Sequence, residues 1–160
     1  MAKSKEEKTN VMRTLEQKKL PYTAHTYDPA GPIDGVSVAQ TLGQLPERVF
    51  KTLVTKGASG AYYVFDIPVA ENLDLKKAAK AVGEKSVAML PQKELLPLTG
   101  YVHGGCSPVG MKKQFPTVFH ETVLLYDTVC VSAGKIGFQV ECRPGDLVAL
   151  LRAKTADIIV

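Results

Sequence analysis

The runs Val49-Phe50-Lys51-Thr52-Leu53-Val54 and Tyr62-Tyr63-Val64-Phe65-Asp66-Ile67 are rich in strand formers and are separated by Gly57-Ala58-Ser59-Gly60. This arrangement predicts a β-hairpin at the start of the core sheet. Side chains alternate across a strand, so Val49, Lys51 and Leu53 share one face while Phe50, Thr52 and Val54 share the other. Both faces read as buried. A lysine in that setting either snorkels its ammonium to an edge or sits in a cleft where an anion offsets its desolvation, and pattern alone favours the snorkel.

The flanking segments fill out the domain. Residues 5–19 place Val11, Met12 and Leu15 near helical spacing, with Pro21 as the stop. Residues 22–27 alternate as a strand and break at Asp28-Pro29-Ala30-Gly31-Pro32. A short helix over 36–42 ends at Gly43, and a second over 73–82 ends at Gly83, glycine accepting the left-handed conformation that closes a helix. Residues 86–89 read as an edge strand and 91–96 as another short helix. Beyond the glycine-rich stretch 99–110 lie three strand-like pieces, 117–120, 128–132 and 137–142, and then a helix over 144–151 with Pro144 in its first turn. Strands and helices interleave irregularly, unlike the strict alternation of a doubly wound sheet, which predicts a mixed α+β domain on a curled sheet.

The 160 residues fit one domain, residues 1–160, without internal repeats. Twenty Lys and Arg against sixteen Asp and Glu give +4, a surplus that tolerates a polyanionic partner without the strongly basic footprint of a dedicated nucleic-acid binder. Three cysteines lacking C-x-x-C spacing, Cys106, Cys130 and Cys142, support neither a disulfide framework nor a zinc knuckle, and fit reduced thiols in a cytoplasm. The charged first twenty residues lack the apolar core of a signal peptide, and no apolar run approaches the length of a membrane span.

Candidate chemistry beyond Lys51 concentrates in Gly100-Tyr101-Val102-His103-Gly104-Gly105-Cys106-Ser107-Pro108-Val109-Gly110. Glycines there let a ligand approach the backbone, and such turns can present N–H groups to an oxyanion or a phosphate. It matches neither a Walker A nor a dinucleotide fingerprint, so a plain loop is the competing reading. Ser132-Ala133-Gly134-Lys135-Ile136-Gly137 is a weaker case of the same kind. Cys106 with His103 or His120 could form a thiolate–imidazole pair, yet nothing fixes their geometry and free cysteines are more often buried hydrophobes. Asp66 belongs to a strand and Asp74 is explained as a helix N-cap, so no carboxylate pair stands out. The histidines are too few and scattered for a metal site, and the strand tyrosines read as core.

In order, His25-Thr26-Tyr27, Arg48-Val49-Phe50-Lys51-Thr52-Leu53, Pro68-Val69 followed by Leu73-Asp74-Leu75-Lys76-Lys77, Thr99-Gly100-Tyr101-Val102, the Gly104–Gly110 turn and Val131-Ser132-Ala133-Gly134-Lys135 resemble the YbaK family of aminoacyl-tRNA editing domains. Its Cys-tRNA(Pro) deacylase branch is the most similar. The resemblance runs nearly the whole chain and implies a single α+β domain with a mixed, barrel-like sheet flanked by helices. It reverses the reading of Lys51, which falls on the family's essential lysine. It further implies Gly104 and Gly105 as catalytic backbone groups, and Tyr27, Thr52, Ser107, Pro108 and Ser132 as the substrate-binding set, with no metal and no cofactor.

The activity implied is trans-editing: release of cysteine from mischarged Cys-tRNA(Pro), and of Cys-tRNA(Cys) as a second substrate, by attack of the bound cysteine's own thiol on its ester. The implied partners are the tRNA(Pro) acceptor end and prolyl-tRNA synthetase. Relatives often carry a Lys-Arg pair and an Asp where this chain has Lys135-Ile136 and Gln139. Release of alanine or another small amino acid by a positioned water, and a non-catalytic module for tRNA or a synthetase, therefore stay open as alternatives.

Overall fold

The computed structural model describes residues 7–160, so the start of the helix expected at residue 5 lies outside the described residues. Its first helix, α1, spans Asn10–Gln17, with the Thr9 hydroxyl accepting from the Met12 amide, and buries Val11, Met12 and Leu15 as the spacing predicts. Strand β1 covers Tyr22–Thr26, and helix α2 covers Gly35–Thr41 behind an Asp34 cap. The expected hairpin is β2, Phe50–Gly57, against β3, Tyr62–Pro68, in antiparallel register with Thr52 opposite Asp66.

Helix α3, Leu75–Val82, starts at Asp74, whose carboxylate accepts from the Lys76 and Lys77 amides, and ends at Gly83 with φ +74°. Then come β4, Val87–Met89; α4, Gln92–Thr99; β5, Thr117–His120; β6, Val129–Ser132; β7, Phe138–Cys142; α5, Pro144–Leu151; and β8, Lys154–Ala156. The three-residue β8 carries no pattern of its own. It exists because β5 offers it a parallel edge, a long-range pairing that local sequence does not encode.

The curled sheet is resolved into two. Strands β4-β2-β3-β5-β8 form one mixed sheet, antiparallel at the hairpin and parallel from β3 to β5 to β8. Strands β1-β7-β6 form a second, antiparallel sheet, and a single parallel bridge between Val49 and Cys130 joins the two. One core lies between the sheets, where Phe50, Val54, Val64 and Phe119 meet Val131, Val140 and α1. The opposite face of the hairpin, with Phe65 and Ile67, packs on Ala78 and Ala79 of α3. Burying a side chain such as Phe65 contributes about 1.5–3 kcal/mol, and β3 collects that gain on both faces.

On the side of β2 away from β3, β4 pairs with Thr55–Gly57, and β6 runs nearby with a bridge from Cys130 to Val49 just before the strand. Residues 51–53 therefore have β3 on one side and, among the described residues, no ladder partner on the other. The site opens along that edge.

Candidate active site

A cavity of about 360 Å³ lies along that edge. One wall is β2 from Val49 to Leu53, and a second is α2 with Ile33, Asp34, Val36 and Val38. The glycine-rich loop brings His103, Gly104 and Cys106, and the small sheet brings Tyr27, Ser132, Phe138 and Gln139. Because the strand edge itself faces the cavity, residues of both parities line it, which strict two-face alternation does not anticipate.

Five of the eight site residues that the resemblance implies meet here: Lys51, Thr52, Tyr27, Gly104 and Ser132. Lys51 is half-buried, and desolvation holds its ammonium below the ordinary lysine range, with Glu71 opposing the shift. No salt bridge among the described residues engages Lys51. A partly desolvated cation of this kind, lining a cavity, favours an anionic ligand or a developing negative charge.

Gly104 has φ +89°, and a Cβ there would come within 2.9 Å of Ile33 Cδ1, so the loop meets the α2 wall at a position only glycine fits. Gly105, Ser107 and Pro108 stand behind the cavity rather than on it. The Gly105 amide donates to the Val102 carbonyl, the fully buried Ser107 hydroxyl accepts from the Val109 amide, and Pro108 is buried. Tyr101 fixes this turn from within by donating its hydroxyl to the Val109 carbonyl at 2.5 Å.

Among the described residues, no hydrogen bond joins a thiol or hydroxyl lining the cavity to a histidine. Burial, and secondarily the carboxyl of Asp66, push the Cys106 thiol up to about 12, so it stays protonated near neutral pH. His120 is turned away, its Nδ1 accepting from the Ile158 amide. His25, which the sequence leaves isolated, does meet Cys130 and Glu141, with potential metal-donor atoms of the three within 4.8 Å of one another. That carboxylate is already engaged: His25 Nε2 lies 2.8 Å from one oxygen, the Thr128 hydroxyl donates to the other, and Arg48 stands 3.8 Å away. Thr128 and then His25 hold Glu141 below the usual carboxylate range.

Of the two family departures, one lines the cavity and the other stands behind it. Gln139 lines it and exchanges reciprocal hydrogen bonds with Gln44 at 2.6 and 3.1 Å, while Ile136 packs beside Gly104 and Gly105. Sequence reasoning missed Ile33, Asp34, Val36 and Val38. The available signal was the aspartate preceding a helical segment, an N-cap pattern that marks where a helix begins but not what it faces.

Comparisons with known proteins agree on the lineage. A family model described as an aminoacyl-tRNA editing domain matches residues 34–150. A protein of Enterococcus faecalis (strain ATCC 700802 / V583), described as a candidate Cys-tRNA(Pro)/Cys-tRNA(Cys) deacylase, EbsC, is 47% identical over 160 residues, covering 99% of this chain and 98% of its own. A crystal structure of a candidate trans-editing enzyme for prolyl-tRNA synthetase superposes with a TM-score of 0.81 at 29% identity, over 94% of both chains. That of the hypothetical protein APE2540 superposes at 0.86 and 23% identity, over 94% of this chain and 99% of the other, and shares the fold.

Proposed function

The chain belongs to the aminoacyl-tRNA editing domain family, and from that premise we propose that it is a trans-editing deacylase that releases cysteine from Cys-tRNA(Pro), with Cys-tRNA(Cys) as a second substrate. In this reading residues 1–160 act as one editing domain in the cytoplasm, on the tRNA acceptor end, with delivery by prolyl-tRNA synthetase. Among the described residues no helix is long and apolar enough to cross a membrane.

The observation that carries the reading is Lys51, a half-buried cation without an ion pair among the described residues, facing a cavity whose lining thiol, Cys106, stays protonated near neutral pH. Such a cavity suits a substrate that brings its own nucleophile. The bound cysteine's thiol attacks its ester carbonyl: a sulfur–carbon bond forms, the carbon–oxygen bond to the ribose breaks, and the thiol proton ends on the ribose oxygen. The amino acid leaves as a thiolactone. Lys51 supplies positive charge to the terminal nucleotide or the developing oxyanion, and Gly104 lets the backbone approach it. Alanine and proline carry no thiol, and serine's hydroxyl ionises far less readily, so the chemistry itself discriminates.

Single-turnover incubation of excess protein with cysteinyl-, alanyl- and seryl-tRNA(Pro) tests this directly. Preferential release of cysteine is expected. Preferential release of alanine would replace the thiol mechanism with a positioned water, and intact esters alongside saturable tRNA binding would make the protein a binding module.

A further inference from the structure

Among the described residues Asp66 is the one fully buried carboxylate, on β3 beneath the cavity, and the deacylase chemistry leaves it without a task. It is 0% exposed, and among the described residues one side-chain hydrogen bond reaches it: Thr52 Oγ1 lies 2.6 Å from Oδ1, while Oδ2 has no hydrogen-bond partner. The two residues are register partners on β2 and β3, on the face that carries Phe50 and Phe119. Thr52 is half-buried and lines the cavity, so its hydroxyl stands between Asp66 and whatever binds there.

The groups packed around Asp66 include no neutralising cation. From the glycine-rich loop comes Cys106, and behind it Tyr101; burial pushes both up to about 12, so both are uncharged near neutral pH. On β2, Lys51 is next in sequence to Thr52, but its ammonium responds to Glu71. On β5 the register partner is Phe119, and the following residue, His120, faces Ile158 and Asp157. An ionised carboxylate with one donor, one orphaned oxygen and no counter-charge is the least favourable state for such a position. A neutral acid leaves unpaired only a carbonyl-like oxygen.

Resting on the deacylase reading, we propose that Asp66 is a positioning residue: as a neutral acid it donates to Thr52 Oγ1, and this turns the Thr52 hydroxyl proton toward the cavity, where it meets an oxygen of the substrate ester. The 2.6 Å separation serves a hydrogen bond of either direction. Each hydroxyl has one proton to give, so the direction decides what the cavity sees. With the acid protonated, Thr52 offers the cavity a donor. With the acid ionised, Thr52 must turn its proton inward and offers only lone pairs. Desolvation raises the Asp66 carboxyl to about 8, so this change falls where it would act on a working enzyme.

Two measurements test the assignment. Carboxyl carbon NMR on the full chain, needing no activity, should show Asp66 protonated at neutral pH and titrating well above the other aspartates; a resonance already ionised at pH 7 overturns the proposal. In single-turnover release of cysteine, Asp66→Ala should lose about tenfold or more, and Asp66→Asn, whose amide can still donate to Thr52, should recover most of that loss. The ratio of wild-type to Asp66→Asn rates should then fall by about tenfold as pH rises through 8, which removes the shared alkaline lability of the ester. In a Thr52→Val background the same ratio should be flat. A flat ratio with Thr52 intact, an undiminished fall in the Thr52→Val background, or no rescue by asparagine in a folded protein would make Asp66 merely structural. A wild type that releases nothing, with Asp66 protonated in the NMR titration, refutes the deacylase reading and leaves the Asp66–Thr52 arrangement standing.

Discussion

Lys51 shows how a single residue's energetics depend on what surrounds it. Its folded pKa lies below the unfolded value of 10.5, so the charged form is disfavoured in the native protein. That unfavourable contribution disappears as pH rises through the lysine range. Lys51→Ala is therefore expected to leave the thermal midpoint within a few degrees of wild type while lowering single-turnover release by about a hundredfold or more. Comparable losses in both would reassign Lys51 to the fold.

Asp66 has the opposite sign of shift for an acid: its folded carboxyl is raised from 3.8 to about 8. Between those values the folded state binds more proton at Asp66 than the unfolded state, so this group's contribution to stability is fully present below about 4 and is lost as pH rises to about 8. Urea midpoints should show that decline in the wild type and a shallower one in Asp66→Asn. A sequence shows Asp66 only as an aspartate within Val-Phe-Asp-Ile-Pro. Its complete burial comes from β5 and the glycine-rich loop, far away in the chain.

Among the elements, helix boundaries were legible because they rest on local chemistry: Asp74 caps α3, Gly83 closes it, and Pro144 opens α5 where the pattern places them. Packing between elements was not legible. Helix α2 sits against the end of β3 because Gly35 has no Cβ; one added there would lie 2.4 Å from Val69 Cγ1. Gly35→Ala should push α2 outward, lower stability by about 1–3 kcal/mol through overpacking, and weaken release by widening the cavity wall. Val69→Ala in the same chain takes away Cγ1 but leaves Cβ, 2.7 Å from the added atom, so it should recover only part of both losses. Urea unfolding and single-turnover rates on the two variants check this, and a double variant no better than Gly35→Ala would show that α2 is held by other contacts.

On the scale of the whole molecule, the charge surplus is only +4 over 160 residues. A protein neutralising six to ten phosphates loses about a thousandfold to a hundred-thousandfold in affinity between 50 and 200 mM salt. Two or three contacts, Lys51 among them, would give a loss of roughly tenfold to fortyfold by the same relation. Fluorescence anisotropy with charged tRNA should fall in that lower band, consistent with a substrate brought by a partner. A slope in the higher band would indicate an extended tRNA surface outside the cavity.

The hairpin, the capped helices, the mixed α+β class and the lineage are legible along the chain, because strand alternation, cap residues and ordered motifs are local or collinear signals. The sequence also singled out Lys51 and Gly104. Tertiary structure alone decided that the sheet is two sheets joined at Val49 and Cys130, that β8 exists, and that an unpaired stretch of β2 opens a cavity there. It separated Gly104 from the buried Gly105, Ser107 and Pro108, and it put Asp66 beneath Thr52. Each of those depends on segments distant in the chain meeting in space, and desolvation, which gives Lys51 and Asp66 their altered protonation, is a property of that meeting.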